Sequence, residues 1–168
     1  HLRPTKGTIR LEDRDITGRP SREITRLGIS RSFQVAQIFP SLTVFENIAF
    51  PLREHTKKSE SEIRDIVMEK MDLVGLIGAE DKLPGEISGG MRKRVGLARA
   101  IAMDPAYILY DEPTTGLDPI MSDVINRLIR SLQQRMGVTG IVVTHDMNSA
   151  FHVGDELALL HGGKVVFT

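Results

Sequence analysis

A chain of 168 residues is long enough to bury one sizeable core, and its 40% hydrophobic content is that of an ordinary globular protein. Its 22 basic residues balance 22 acidic ones, so no net field draws it to nucleic acid or to an anionic lipid surface, and no nucleic-acid partner is expected. Without cysteine it has neither a disulfide framework nor a thiolate metal site, and without a run of about 18 apolar residues nothing in it is expected to span a membrane.

In chain order, Gly7 to Leu11 reads as a short strand and Arg22 to Leu27 as a short helix, which feeds an extended segment from Gly28 to Gln34. Pro40 breaks the chain. Thr43 and Glu46 have the spacing of a capping box, in which the threonine oxygen and the glutamate side chain satisfy amides at a helix start, and Ser59 and Glu62 repeat it. Beyond Ser59, the residues Ile63, Ile66, Val67, Met71 and Val74 fall at spacings of three and four, giving one apolar helical face. An amphipathic stretch opened by Ser88, Gly89 and Gly90 then runs to the region of Met103. Residues 41–103 are therefore expected to form a mostly helical insert, with α/β core parts at 1–40 and 104–168.

From Tyr107 the pattern changes to alternating strand and helix. Tyr107 to Tyr110 is an apolar run of the kind buried on both faces of a parallel sheet, and it ends in two adjacent carboxylates, Asp111 and Glu112. Carboxylates just past the carboxyl end of such a strand stand where these sheets bind phosphate and metal. If the extended geometry continues, the two point to opposite sides, which allows two roles within one short segment. Asp118 and Pro119 suit an N-cap followed by proline in the first turn, and Ile120, Val124, Ile125, Leu128 and Leu132 mark the buried stripe of the following helix. Gly140 to Thr144 reads as another buried strand. Glu156 to Leu160 and Lys164 to Phe167 flank His161, Gly162 and Gly163, whose glycines allow positive φ in a hairpin.

Two glycines after a serine at a helix start leave the first-turn N–H groups unobstructed, and the helix dipole adds partial positive charge, so an anion can approach closely. Taken alone, the same three residues make an ordinary capped turn. Arg92, Lys93 and Arg94 read as a solvated helix face. A P-loop, Gly-x-x-x-x-Gly-Lys-Ser/Thr, is not found: the Gly163-Lys164 pair is followed by Val165 and lacks the first glycine at the required spacing.

The succession of Ser88 to Gly90, Tyr107 to Glu112, Gly116 to Pro119 and Val143 to Asp146 closely resembles the ATP-binding cassette (ABC) ATPases, and the resemblance covers nearly the entire chain. It implies an α/β, P-loop NTPase-like core with an inserted helical subdomain that carries the signature helix. It assigns Asp111 to Mg²⁺ through water, Glu112 to polarising the attacking water, and His145 to the γ-phosphate as the switch histidine. Gln34 matches the family's Q-loop glutamine, which reaches Mg²⁺ and the attacking water, while Ser88, Gly89, Gly90 and Asp118 fall to nucleotide binding. Met91 stands where the family usually has glutamine, which puts a polar contact there in doubt. His1, His55, His152 and His161 match no element of the family and read as surface or packing residues.

The resemblance also sets expectations for the assembly. His1 to Ile9 is similar to the segment that follows the P-loop helix, so the chain is expected to be a partial ABC ATPase domain without its amino-terminal strand, P-loop and helix, and inactive alone. Family members pair head to tail, so ATP, Mg²⁺, a second ABC ATPase subunit and integral membrane permease subunits are the expected partners. The expected place is cytoplasmic, peripheral on the inner face of the cell membrane. Phe45 to Thr56 and Ile87 to Val95 look like the ATPases of Mla-type lipid-asymmetry transporters, also associated with organic-solvent tolerance, whereas Arg26 to Gln34 is more similar to branched-chain amino-acid importers. Phospholipid or hydrophobic-compound transport is the first expectation and branched-chain amino-acid import the second. A non-transport soluble ABC ATPase, or a non-catalytic binding module, is the reading from a different class.

Overall fold

The computed structural model describes residues 4–32 and 38–168. The polar face of the site hangs on a three-stranded parallel sheet in the order β3-β4-β5, formed by β3 (Ile29–Ser32), β4 (Tyr107–Asp111) and β5 (Thr139–Val143). Ile29 is in register with Tyr107, and Asp111 with Val143, so the carboxyl ends of the strands line up at one edge. Two short antiparallel pairs, β1 (Arg10–Leu11) with β2 (Arg14–Asp15) and β6 (Leu159–His161) with β7 (Lys164–Phe167), lie outside this sheet. β1 is shorter than the expected Gly7 to Leu11, and β6 is shorter than the expected Glu156 to Leu160 and extends to His161. Gly162 and Gly163, at φ 55° and 75°, form the turn between β6 and β7, a conformation that a Cβ disfavours.

Between β1–β2 and β3 lies the short helix α1 (Ser21–Arg26). Among the described residues between β3 and β4 are three α-helices, α2 (Val44–His55), α3 (Glu60–Leu73) and α4 (Gly89–Ile101), with a 3-10 turn at Pro84–Glu86 before α4. Both expected capping boxes are present. The Thr43 hydroxyl accepts from the Glu46 amide at 3.1 Å while the Glu46 carboxylate accepts from the Thr43 amide at 2.8 Å, and Ser59 and Glu62 reciprocate in the same way at 3.3 and 2.8 Å. Ile63, Val67, Met71 and Val74 are buried and Ile66 is half-buried, which places the apolar face of α3 against Val44, Ile48, Leu52 and the α4 residues Val95, Ala98 and Ile101. Lys70 ends up inside this packing, 4% exposed at its side chain, with Glu69 and Asp104 at 2.9 and 2.6 Å. Burial pulls its pKa down, yet the two carboxylates outweigh that and hold it above the ordinary lysine value.

α5 (Pro119–Met136) joins β4 to β5, and α6 (Met147–Val153) follows β5. Gly137, at φ 66°, takes the left-handed position that ends α5. The buried stripe of α5 differs from the expected one. Ile125, Leu128, Ile129 and Leu132 are buried, but Ile120 is 78% exposed and Val124 is exposed as well. The helix periodicity holds, but among the described residues nothing covers the side of α5 that carries Ile120 and Val124, while Met121 of the same turn lies against Gly90.

The strands also depart from expectation. Ile108 and Tyr110 on one face of β4 are buried under the helices, whereas Leu109 on the other face is exposed, as are Ile141 and Val143 of β5. Among the described residues the sheet is therefore covered on one face, not two. Of the expected solvated face, Arg92 is exposed, but Lys93 and Arg94 are half-buried. Arg92 donates to the Ile87 carbonyl at 2.7 Å, Arg94 donates to the Gly75 carbonyl at 3.0 Å, and Lys93 is half-buried against the sheet near Ser32 and Tyr110.

Candidate functional site

Asp111 is the last residue of β4, and Glu112 turns off the strand immediately after it at φ 47°. The extended geometry therefore does not continue through Glu112. The two carboxylates still diverge, because each is drawn to a different neighbouring strand. Asp111 Oδ2 accepts from the Arg31 guanidinium of β3 at 2.7 Å. Glu112 leans toward β5: its amide donates to the Val143 carbonyl at 2.9 Å, and its carboxylate accepts at two points. His145 Nδ1 lies 2.8 Å from Oε1, and the Thr115 hydroxyl donates to Oε2 at 3.0 Å. An ionised carboxylate only accepts, so the Glu112 contact fixes the proton of His145 on Nδ1 and leaves Nε2 facing outward.

The electrostatics follow from exposure. The Glu112 side chain is 17% exposed and that of His145 is 78% exposed. Burial pushes the Glu112 carboxyl up, but hydrogen bonds from His145 and Thr115 and the charge of the imidazolium outweigh it and hold the group below the usual glutamate value. The same contact raises His145 above its ordinary value, with the charge of Glu112 adding to it. Burial lowers the Lys93 ammonium, opposed by attraction to Glu112, so this carboxylate is also felt by the helix α4.

A pH dependence follows from these directions. The raised His145 contributes stability that is fully present below the ordinary histidine pKa and is lost as pH rises through its folded value. The lowered Glu112 contributes stability that is present above the ordinary glutamate pKa and is lost as pH falls through its folded value. The ion pair is therefore intact between the two depressed and raised values. Titration of His145 by NMR should give a midpoint above that of an ordinary histidine, and Glu112→Gln should return it toward that value.

The second cluster forms where two helices begin. Ser88 caps α4 by accepting from the Met91 amide at 3.2 Å, and Asp118 caps α5 by accepting from the Met121 amide at 2.9 Å. The two N-termini meet, because a Cβ built on Gly90 would run into Met121 Cε. Gly90 thus has a packing reason to be glycine, although the methionine tip is free to swing, whereas a Cβ on Gly89 would meet nothing closer than Arg92 at 3.7 Å. No acidic residue occupies the first turn of α4 to repel an anion, while the Ser88 hydroxyl takes the Met91 amide and Gly90 is buried. A cleft of about 480 Å³, lined among others by Thr115, Gly116, Leu117, Pro119, His145 and Asp146, runs between the start of α5 and the start of α6. It brings His145 beside the loop that ends in Asp118. Ser88, Gly89 and Gly90 do not line it.

Gln34 lies outside the described residues, as does His1. His152 is exposed, as a surface residue would be, and it lines the cleft 3.9 Å from Asp123. Sequence reasoning missed Arg31 and Thr115, which hold the two carboxylates. Thr115 is three residues from Glu112, a spacing that carries local side-chain contacts, whereas the Arg31 contact spans 80 positions and has no local signal.

Residues 1–115 match the profile of the family described as ABC transporter. The chain is 50% identical over 163 residues to the "Probable ribonucleotide transport ATP-binding protein mkl" of Mycobacterium leprae, covering 95% of this chain and 46% of that protein. It is 42% identical over 167 residues to the "Intermembrane phospholipid transport system ATP-binding protein MlaF" of Haemophilus influenzae, covering 98% and 63%. It thus spans between about half and two thirds of these relatives' lengths. Among solved structures, the dimeric bacterial ABC transporter cassette MJ0796 superposes with a TM-score of 0.85 at 31% identity, covering 99% of this chain and 74% of that one. The structure of cbiO1 from Clostridium perfringens, part of the ABC transporter complex cbiONQ, gives a TM-score of 0.88 at 31% identity, covering 99% of this chain and 66% of that one.

Proposed function

Since the chain belongs to the ABC transporter family, we propose that it is part of an ATP-binding and ATP-hydrolysing subunit that powers a membrane transporter. The observation that carries this reading is the two-point hold on Glu112 at the carboxyl edge of the sheet, by His145 on one side and Thr115 on the other. A carboxylate kept ionised and aimed by two donors is suited to orienting and polarising a water, and the outward Nε2 of His145 is suited to a γ-phosphate oxygen. The end of α4 formed by Ser88, Gly89 and Gly90 is proposed to face the phosphates of a nucleotide held by a second cassette, and Asp118 caps the adjacent helix. Gln34 is proposed to reach the same water, and residues 41–103 to form the helical subdomain between the core parts 1–40 and 104–168.

The donor set suits Mg²⁺. Among the described residues no group of three or more His, Cys, Asp or Glu converges, but a hard cation that keeps its waters needs one carboxylate plus nucleotide phosphates. Asp111 supplies that carboxylate, half-exposed, with Arg31 on Oδ2, and Gln34 is its proposed companion. Bound there, Mg²⁺ would neutralise phosphate charge.

The transported substrate is proposed to be phospholipid or another hydrophobic compound, supported by 42% identity to the Haemophilus protein named for intermembrane phospholipid transport. A second reading, ribonucleotide transport, draws on the printed name of the mycobacterial relative. The partners proposed are a second cassette and integral membrane permease subunits. No described helix is long and apolar enough to cross a membrane, so attachment to the inner face would run through the permease.

Mixing separates this reading from a non-catalytic one. Combined with a cassette that carries a P-loop and is blocked in hydrolysis, the 168-residue chain should trap one ATP per heterodimer through its Ser88 helix. It should turn over no ATP alone, because these residues hold no phosphate cradle. Trapping that survives Ser88→Glu combined with Gly89→Asp would refute the assignment of that helix. With the permease present, extraction of labelled phospholipid against uptake of labelled ribonucleotide decides the substrate.

A further inference from the structure

Ser149 sits on α6, fully buried, four residues after His145, and no element of the proposed hydrolytic site claims it. Its hydroxyl touches three separate segments. It donates to Asp146 Oδ2 at 2.7 Å, it accepts from Asn126 Nδ2 of α5 at 3.0 Å, and it lies 3.3 Å from the hydroxyl of Thr114 in the loop after β4. Proton counting fixes the directions. Asp146 already accepts the Asn148 amide on Oδ1 and, ionised, cannot donate, so the one hydroxyl proton of Ser149 goes to it. Thr114 must then be the donor to Ser149. The hydroxyl is saturated, with one bond given and two received, and Thr114 and Asn126 are themselves buried.

The neighbours of these partners give the network its significance. Thr114 precedes Thr115, which donates to one oxygen of Glu112, and Asp146 follows His145, which donates to the other. We propose that Ser149 is a positioning residue for the Glu112–His145 pair, its hydroxyl holding the Thr115 segment and the His145 segment at the spacing that lets both grip one carboxylate. This rests on the reading of that pair as the hydrolytic machinery, but the geometry itself needs no nucleotide. Without the hydroxyl, the loop after β4 and the turn before α6 lose their shared partner, and buried donors on Thr114 and Asn126 lose their acceptor.

The test is made on the 168-residue chain with ¹⁵N-labelled histidine, at a pH where the His145 ring is neutral. The His145 signal, assigned with His145→Gln, should show the proton held on Nδ1. Ser149→Ala should lose that signature, the ring averaging between its two tautomers, and should also lower the thermal midpoint. Ile63→Val, a core change on α3, should lower the midpoint and leave the signature intact, which separates positioning from general destabilisation. If Ser149→Ala does not fold, Thr114→Val removes one donor and should weaken the signature in part. A folded Ser149→Ala that keeps the Nδ1 proton, or in its place a folded Thr114→Val that keeps it in full, overturns the proposal. Failure of the hydrolytic reading would show elsewhere, as Glu112→Gln without effect on ATP turnover.

Discussion

In a polypeptide where these residues follow a P-loop strand and helix, Glu112→Gln is expected to slow ATP hydrolysis by about 10²–10⁴-fold, the usual scale for losing a general base. The argument is one of shape against charge. Glutamine keeps the length and planarity of the side chain, and its carbonyl oxygen can still accept from His145 or Thr115, so ATP-driven pairing of two cassettes should persist. An amide cannot take a proton from water, and it no longer holds the imidazole of His145 in its charged form. Single-turnover phosphate release at saturating ATP, with gel filtration to follow pairing, reads both consequences. An unchanged rate would move the base to another residue, and lost pairing would make Glu112 a structural residue.

The second large effect is on stability. Ile108 is fully buried in β4, the central strand of the sheet, three residues before Asp111. Ile108→Ala should cost about 2–5 kcal/mol, the transfer free energy of the lost side chain plus the cavity it leaves. That is a large share of the roughly 5–15 kcal/mol typical of a domain. Urea unfolding should show a lower midpoint with an unchanged slope. A loss well under 1 kcal/mol would mean that β4 is not packed as described. The same change at Leu109, exposed on the opposite face, should cost far less.

Local signals in the chain were the legible ones. Both capping boxes and the N-cap at Asp118 depend on contacts three residues apart, and each is formed as spacing alone suggests. The apolar face of α3 was legible for the same reason. Ile120 and Val124 were not, because periodicity marks a helix face without saying how far its neighbour extends along it. Gly140 to Val143 lacks alternation, the mark of a strand covered on both sides, yet only the inner face meets helices among the described residues. At the site, order along the chain put Asp111, Glu112 and His145 just at or past the ends of apolar strands, and in the structure Glu112 and His145 meet there while Asp111 turns to Arg31. That order did not anticipate the turn at Glu112. The residue before a proline favours extended backbone, and here the bonds to Val143, Thr115 and His145 override that preference. The ties of Asp111 to Arg31 and of Ser149 to Thr114 and Asn126 join distant segments, which no local pattern encodes.

The left-handed backbone of Glu112 sets function and fold against each other at a single position. Glutamate is strained at φ 47°, whereas asparagine visits that region several-fold more readily and glycine without steric cost. Selection for folding alone, as in a library sorted only by expression or protease resistance, should therefore drift at residue 112 toward asparagine or glycine and discard the carboxylate. Selection for turnover should keep glutamate there against that drift, so the two sorted populations would diverge first at this residue.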